Sequence, residues 1–130
     1  AREQAIDTVR IDGLDTYLAD LLPQVLSPTA DTDAWERARA IAEAQDSEAV
    51  CAALEALRDR PDRTGDLAGI GVRTVVVGGE DDVVMPYAAV AALADTIPGA
   101  VLEVIAGAGH LSALERPAEF AAIVARMIPA

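Results

Sequence analysis

The sequence contains no lysine, a single cysteine, a single histidine and no long apolar run. With only Cys51, an internal disulfide is excluded. Ten arginines stand against 22 acidic residues, for a net charge of −12. A phosphate-binding surface needs clustered cations, so nucleic acid is not an expected partner. No stretch is long and apolar enough to span a bilayer, and no signal-peptide pattern opens the chain at Ala1. No membrane association is expected, and a cytoplasmic location is the default. Arginine used to the exclusion of lysine, with abundant alanine and glycine, suggests a GC-rich bacterial gene.

Strand-like segments are also scarce. Hydrophobic residues make up 52% of the chain, yet only two short runs read as strands. Two strands cannot cover that much apolar surface by themselves. The expectation is a chain stabilised by an N-terminal portion lying outside these 130 residues, or by self-association.

What is present is concentrated between Val72 and Ser112. The segment opens as VRTVVVGGEDDVVMP and closes as VLEVIAGAGHLS, with an amphipathic stretch between. Thr74 to Val77 shows no alternation of apolar and polar residues, as expected of a strand covered on both faces in a parallel sheet. The pattern reads β-turn-α-β. Asp82 follows the first strand and His110 the second, so both should emerge at the carboxyl edge of one sheet, where open α/β folds place their sites. An acid and an imidazole meeting there suggest the orienting carboxylate and general base of a hydrolytic triad.

This segment resembles the C-terminal part of the α/β-hydrolase fold family, whose late strands end in a G-x-x-D-x-x-x-P turn and a G-x-G-H loop. Gly79, Asp82 and Pro86 match the first motif, and Gly107, Gly109 and His110 the second. The order of acid before histidine also fits the family order of nucleophile, acid, histidine. The resemblance implies an α/β fold: parallel strands with flanking helices, preceded by a helical cap. A domain of this kind needs roughly 200 to 250 residues, so the chain reads as about half of one.

Residues 1–66 read as helical. Ala5 to Val9 suggest a short helix closed at Asp12-Gly13. Leu14, Tyr17, Leu18, Leu21, Leu22 and Val25 form one helical stripe, which Pro23 should kink or end early. After the Ser27-Pro28-Thr29 loop, Thr32 or Asp33 is the candidate cap of a helix burying Trp35, Ala38, Ile41 and Ala42. Asp46 or Ser47 starts another, with Val50, Leu54 and Leu57 inward. By resemblance these helices form the cap, and residues 67–130 the C-terminal part of the core. Asp66 to Ile70 reads as one helical turn before the first strand. Pro86 suits the first position of the next helix, which carries Val90, Leu93 and Ile97 and stops at Pro98-Gly99. Val101 to Ile105 is the second strand. Pro117 opens a final helix with Phe120, Ile123, Val124 and Met127 buried.

Each chemical candidate has a structural competitor. Glu80, Asp81 and Asp82 stand together before a helix, where acids are favoured anyway. The spacing to Gly79 and Pro86 selects Asp82 over Asp81. His110, the sole imidazole, is flanked by glycines that allow a sharp turn. By resemblance Asp82 accepts from one ring nitrogen, while the other takes a proton from a nucleophile. No nucleophile elbow is present. Ser27, Ser47 and Ser112 lie outside any G-x-S-x-G context, and Ser112 with Glu115 has capping-box spacing instead. Cys51 sits in an apolar helical run and reads as a packed residue. The family's early oxyanion-hole loop is absent as well. Gly107 to Ser112 only partly matches a dinucleotide fingerprint, and the acidic trio lacks the further ligands a Mg²⁺ site needs.

The expected function is therefore a hydrolase cleaving a small-molecule ester, lactone or related acyl bond, with Asp82 and His110 catalytic. Its nucleophile, a Ser, Asp or Cys, lies outside this chain, which alone is expected to be inactive. Esterases, enol-lactonases, dehalogenases and cofactor-free haloperoxidases share this layout, and no cofactor or metal is implied. The alternative is a non-catalytic half-domain that acts by associating with a partner chain.

Overall fold

The structure is a computed structural model that describes residues 2–128. Four helices come first: α1 (Arg2–Ile11), α2 (Leu14–Val25), α3 (Thr32–Glu43) and α4 (Ser47–Asp59). A 3₁₀ turn (Thr64–Gly69) leads to strand β1 (Val75–Gly79), helix α5 (Tyr87–Thr96) and strand β2 (Val101–Ile105), followed by α6 (Ser112–Glu115) and α7 (Pro117–Met127). The strands pair in parallel, with Val75 opposite Val101 and Gly79 opposite Ile105.

The missing alternation in β1 has a direct cause. Val76 packs toward α5 with Val90, Ala94 and Ile97. Val75 and Val77 face the opposite way and pack with Ile105, Ala108, Phe120 and Ile123, so α7 covers the second face. Each face of β1 buries valines against a different helix. The crossover through α5 brings both strand ends to the same edge, which is what a parallel pair requires.

The helical layer has two cores of its own. Ile6, Val9, Cys51 and Leu54 join α1 to α4, with Tyr17 of α2 against them. Leu22, Leu26 and Ala38 join α2 to α3, and Leu111 and Leu114 from the segment after β2 pack onto this second cluster. That contact connects the helical layer to the end of the sheet. Cys51, 6% exposed, is a packed helix residue as expected.

Several local expectations need correction. Ala5 to Val9 do belong to a helix, which spans Arg2–Ile11 and closes as expected where Gly13 adopts φ 92°. Pro23 does not end α2 early: the helix runs on to Val25, and the Leu26 N–H closes the last turn onto Leu22 O at 3.1 Å. Proline forfeits one hydrogen bond there, while burial of Leu22, Val25 and Leu26 in the α2–α3 cluster holds the turn in place. The cap of α3 is Asp31, not Thr32 or Asp33, its carboxylate accepting from Ala34 N–H at 2.8 Å. Asp46 caps α4, accepting from Glu48 and Ala49 N–H. Pro86 stands one residue before α5, because its ψ of 155° is extended.

Strand β1 is shifted by one residue at its start and runs to Gly79, since Gly78 and Gly79 pair with Val104 and Ile105. Ile41, Leu57 and Val124 do not face inward as the helical spacing predicts: they are 60%, 42% and 42% exposed. Ile41 and Leu57 lie in the last turns of their helices, beyond the reach of the clusters their helices build. On α7 it is Ile123 that fills the contact with β2, leaving Val124 on the next face. Val101 and Val104 of β2 are likewise exposed. Among the described residues no helix is long and apolar enough to cross a membrane.

Candidate active site

The site forms where β1 and β2 end. Past Gly79 the chain turns through Glu80, Asp81 and Asp82; past Ile105 it turns through Gly107 to His110. Backbone bonds tie the two turns together: Glu80 N–H donates to Ile105 O at 3.0 Å, and Asp81 N–H to Ala108 O at 2.8 Å. Glycine is required in both turns, for different reasons. A Cβ on Gly79 would overlap the carbonyl oxygens of Ala108 and Gly109. Gly107 turns the chain with φ 61°, in the left-handed region.

The three adjacent acids have three different partners. Glu80 accepts from Gly107 N–H at 3.0 Å and so braces the histidine loop. Asp81 accepts from the Ser27 hydroxyl at 2.6 Å, reaching back to the loop after α2. Asp82 alone meets the imidazole: its Oδ2 lies 2.9 Å from His110 Nδ1. Its other oxygen, Oδ1, accepts from Val84 and Met85 N–H, both at 2.8 Å. The Asp82 carboxylate is therefore fully committed, and its side chain is 5% exposed.

These contacts fix the imidazole chemistry. An ionised carboxylate only accepts, so Nδ1 must carry the proton that bridges to Asp82. In the neutral ring Nε2 is then the free acceptor. The His110 side chain is 38% exposed, against 5% for Asp82. Such an arrangement can take a proton at Nε2 while Asp82 steadies the imidazolium.

No serine or cysteine bonds to the ring among the described residues. Ser27 is fully buried, its hydroxyl shared between Asp81 and Thr29. Ser47 lies on α4, and Cys51 is in the α1–α4 core. Ser112 begins α6 without acting as its cap. The capping box expected of Ser112 and Glu115 does not form. The Glu115 carboxylate is engaged elsewhere, accepting from Gly109 N–H at 2.9 Å and Ser27 N–H at 2.7 Å. Neither Ser27 nor Glu115 stands out as a site element in the sequence, where Ser27 reads as a loop opener and Glu115 as a cap partner. A buried position gives an isolated Ser or Glu no periodic signature.

Among the described residues there is no group of three or more His, Cys, Asp or Glu side chains placed to hold a metal ion. A recess of about 290 Å³ adjoins Asp82, lined by Pro23, Leu26, Pro28, Glu80, Asp81 and Val83. A larger one of about 570 Å³, between α1 and α4, is lined by residues remote in the fold from the two turns, such as Val9 and Glu48.

Comparison with known proteins agrees with this architecture. The sequence pattern of the alpha/beta hydrolase family matches residues 2–123. An esterase from the thermophile Thermogutta terrifontis superposes with a TM-score of 0.89 at 26% identity, over 96% of this chain and 47% of that one. A hydrolase from Pseudomonas aeruginosa PA01 gives 0.83 at 27% identity, over 98% and 49%. The enol-lactonase of Burkholderia xenovorans LB400, at 24% identity and a TM-score of 0.80, shares the fold over 98% and 49%. The chain thus spans about half the length of the solved structures it resembles.

Proposed function

This chain belongs to the alpha/beta hydrolase family, and on that footing we propose that it carries the acid and the histidine of a hydrolase acting on small-molecule esters, lactones or related acyl compounds. The observation that carries the reading is the 2.9 Å contact between His110 Nδ1 and Asp82 Oδ2, on a side chain that is 38% exposed. Esterase and lactonase activities in structurally similar proteins support the substrate class.

In the proposed mechanism a hydroxyl or thiol nucleophile from outside these residues attacks the acyl carbon and gives its proton to His110 Nε2. Asp82 stabilises the imidazolium in place. His110 then protonates the leaving oxygen, and the covalent acyl intermediate forms. Water then attacks the acyl carbon and loses a proton to Nε2; as the bond to the nucleophile breaks, His110 returns that proton to the nucleophile and the acid leaves. Helices α1 to α4 would serve as the cap over the substrate. The N-terminal half of the same fold, or a second copy, would cover apolar residues such as Val101 and Val104.

The other reading is a non-catalytic half-domain that works by association. The lack of any elbow serine in the sequence favours it. A chimera separates the two: this chain replaces the corresponding half of the T. terrifontis esterase, and p-nitrophenyl butyrate hydrolysis is followed. We expect activity in the chimera, its loss with His110→Ala, and none in the chain alone. Hydrolysis by the lone chain that survives His110→Ala would overturn the proposal, as would a cooperatively melting chimera with no activity.

A further inference from the structure

Glu115 is the most deeply buried carboxylate among the described residues, at 3% exposed. No arginine forms a salt bridge with it there; the neighbouring Arg116 guanidinium bonds instead to the Glu115 backbone carbonyl at 3.0 Å. Burying a carboxylate without a cation is costly unless hydrogen bonds satisfy it. Here they do, and both come from backbone: Gly109 N–H to Oε1 and Ser27 N–H to Oε2.

The donors sit on two different parts of the fold. Gly109 immediately precedes His110, and Ser27 lies just past the end of α2. On the other side of the histidine, Leu111 N–H donates to Val25 O at 3.2 Å. His110 is therefore bracketed: the residue before it is held through Glu115, the residue after it directly, and both to residues 25–27. The two backbones touch without side chains between them, since a Cβ on Gly109 would stand 2.6 Å from Ser27 N and 2.8 Å from Leu26 C.

Taking the Asp82–His110 pair as the dyad of the proposed hydrolase, we infer that Glu115 is a positioning residue for His110, its carboxylate clamping the histidine loop to the end of α2 so that Nδ1 stays on Asp82. A neutral side chain of the same shape cannot do this. The two N–H groups need an acceptor at each end, and glutamine has an acceptor at one end and a donor at the other. The clamp also makes the helical layer the reference against which the ring is held.

The sole histidine makes the test direct. The ring nitrogens of His110 are followed by ¹H–¹⁵N correlation in the 130-residue chain, in whatever assembly it purifies. Expected in the unaltered protein is a ring whose Nδ1 carries the proton shared with Asp82. In Glu115→Gln the Nε2–H tautomer should gain population, and the exchange protection of the Gly109 amide should fall about tenfold or more, as for loss of a hydrogen bond to a charged group. Glu115→Asp, which keeps the charge but shortens the reach, should fall between the two. A Glu115→Gln protein that keeps the unaltered ring tautomer while its Gly109 amide loses protection would overturn the inference. If Glu115→Gln does not fold, exchange in the unaltered protein decides: Gly109 and Ser27 amides as labile as those of the exposed Asp62 and Arg63 would sink it, and strong protection of both would support it. Asp82→Asn is the control. If that change leaves the ring unaltered, the dyad reading itself fails, independently of Glu115.

Discussion

Gly79 and Gly109 meet backbone to backbone at the end of the sheet, so close that a methyl group on Gly79 would overlap the Gly109 carbonyl oxygen. One glycine ends the strand before Asp82 and the other precedes His110. Their contact sets how near the two turns can come. The obstructing atoms are backbone, tied by Asp81 N–H to Ala108 O and by Gly109 N–H to Glu115, so they cannot yield as a flexible side chain would.

Gly79→Ala should therefore be destabilising by roughly 3 kcal/mol, at the upper end of overpacking costs. Chemical denaturation of the two proteins measures it. A loss below about 0.5 kcal/mol would mean that the turns separate without penalty.

Asp82→Asn tests the dyad in the assembled hydrolase. The Val84 and Met85 N–H groups would retain the amide oxygen, turning the amide NH₂ toward His110 Nδ1. The ring would then carry its proton on Nε2 and lose its free acceptor. Activity should fall by about 10⁴-fold, as when a triad aspartate is so changed, with little change in melting temperature. Ester turnover within tenfold of the unaltered enzyme would argue against Asp82 as the orienting acid.

Asp46 holds the first turn of α4 through the Glu48 and Ala49 N–H groups at 2.8 and 3.2 Å. Asp46→Ala should cost about 1 kcal/mol, the usual worth of such a cap. Because α4 is remote from the two turns, the His110 ring signals should not move. A shift in them would reveal coupling that the packing does not indicate.

Tyr17 lies against the Ile6–Val9–Cys51–Leu54 cluster, and burial raises its phenol above the ordinary value of 10.0. Folding thus favours the neutral phenol. Stability is unaffected below pH 10.0, where the unfolded chain is also neutral, and falls as pH rises from there toward the higher folded value. Tyr17→Phe should leave stability near neutral pH within about 0.5 kcal/mol and flatten the alkaline decline. Identical alkaline profiles for both proteins would refute this.

The elements that sequence reading located well are those with a local cause. The Val101 to Ile105 strand, the stripe of α2 and the stop at Pro98-Gly99 all follow from period, turn chemistry and glycine freedom, which neighbouring residues express by themselves. Where reading and structure part, distant packing decides. Pro23 stays helical because Leu22 and Leu26 are buried against α3 and the segment after β2, and Ile41 is exposed because its turn overhangs that cluster.

The same division holds at the site. Residue order puts an acid and a histidine at the ends of two parallel strands, and the resemblance to the family's turn motif, through Gly79 and Pro86, favours Asp82 among its acidic neighbours. Only the folded chain assigned Asp81 and Glu115 to Ser27, because those pairings join segments 54 and 88 residues apart through atoms that leave no pattern in the sequence. A spacing rule records what one stretch of backbone can do; a buried hydrogen bond between remote segments exists only once packing has expelled water from both.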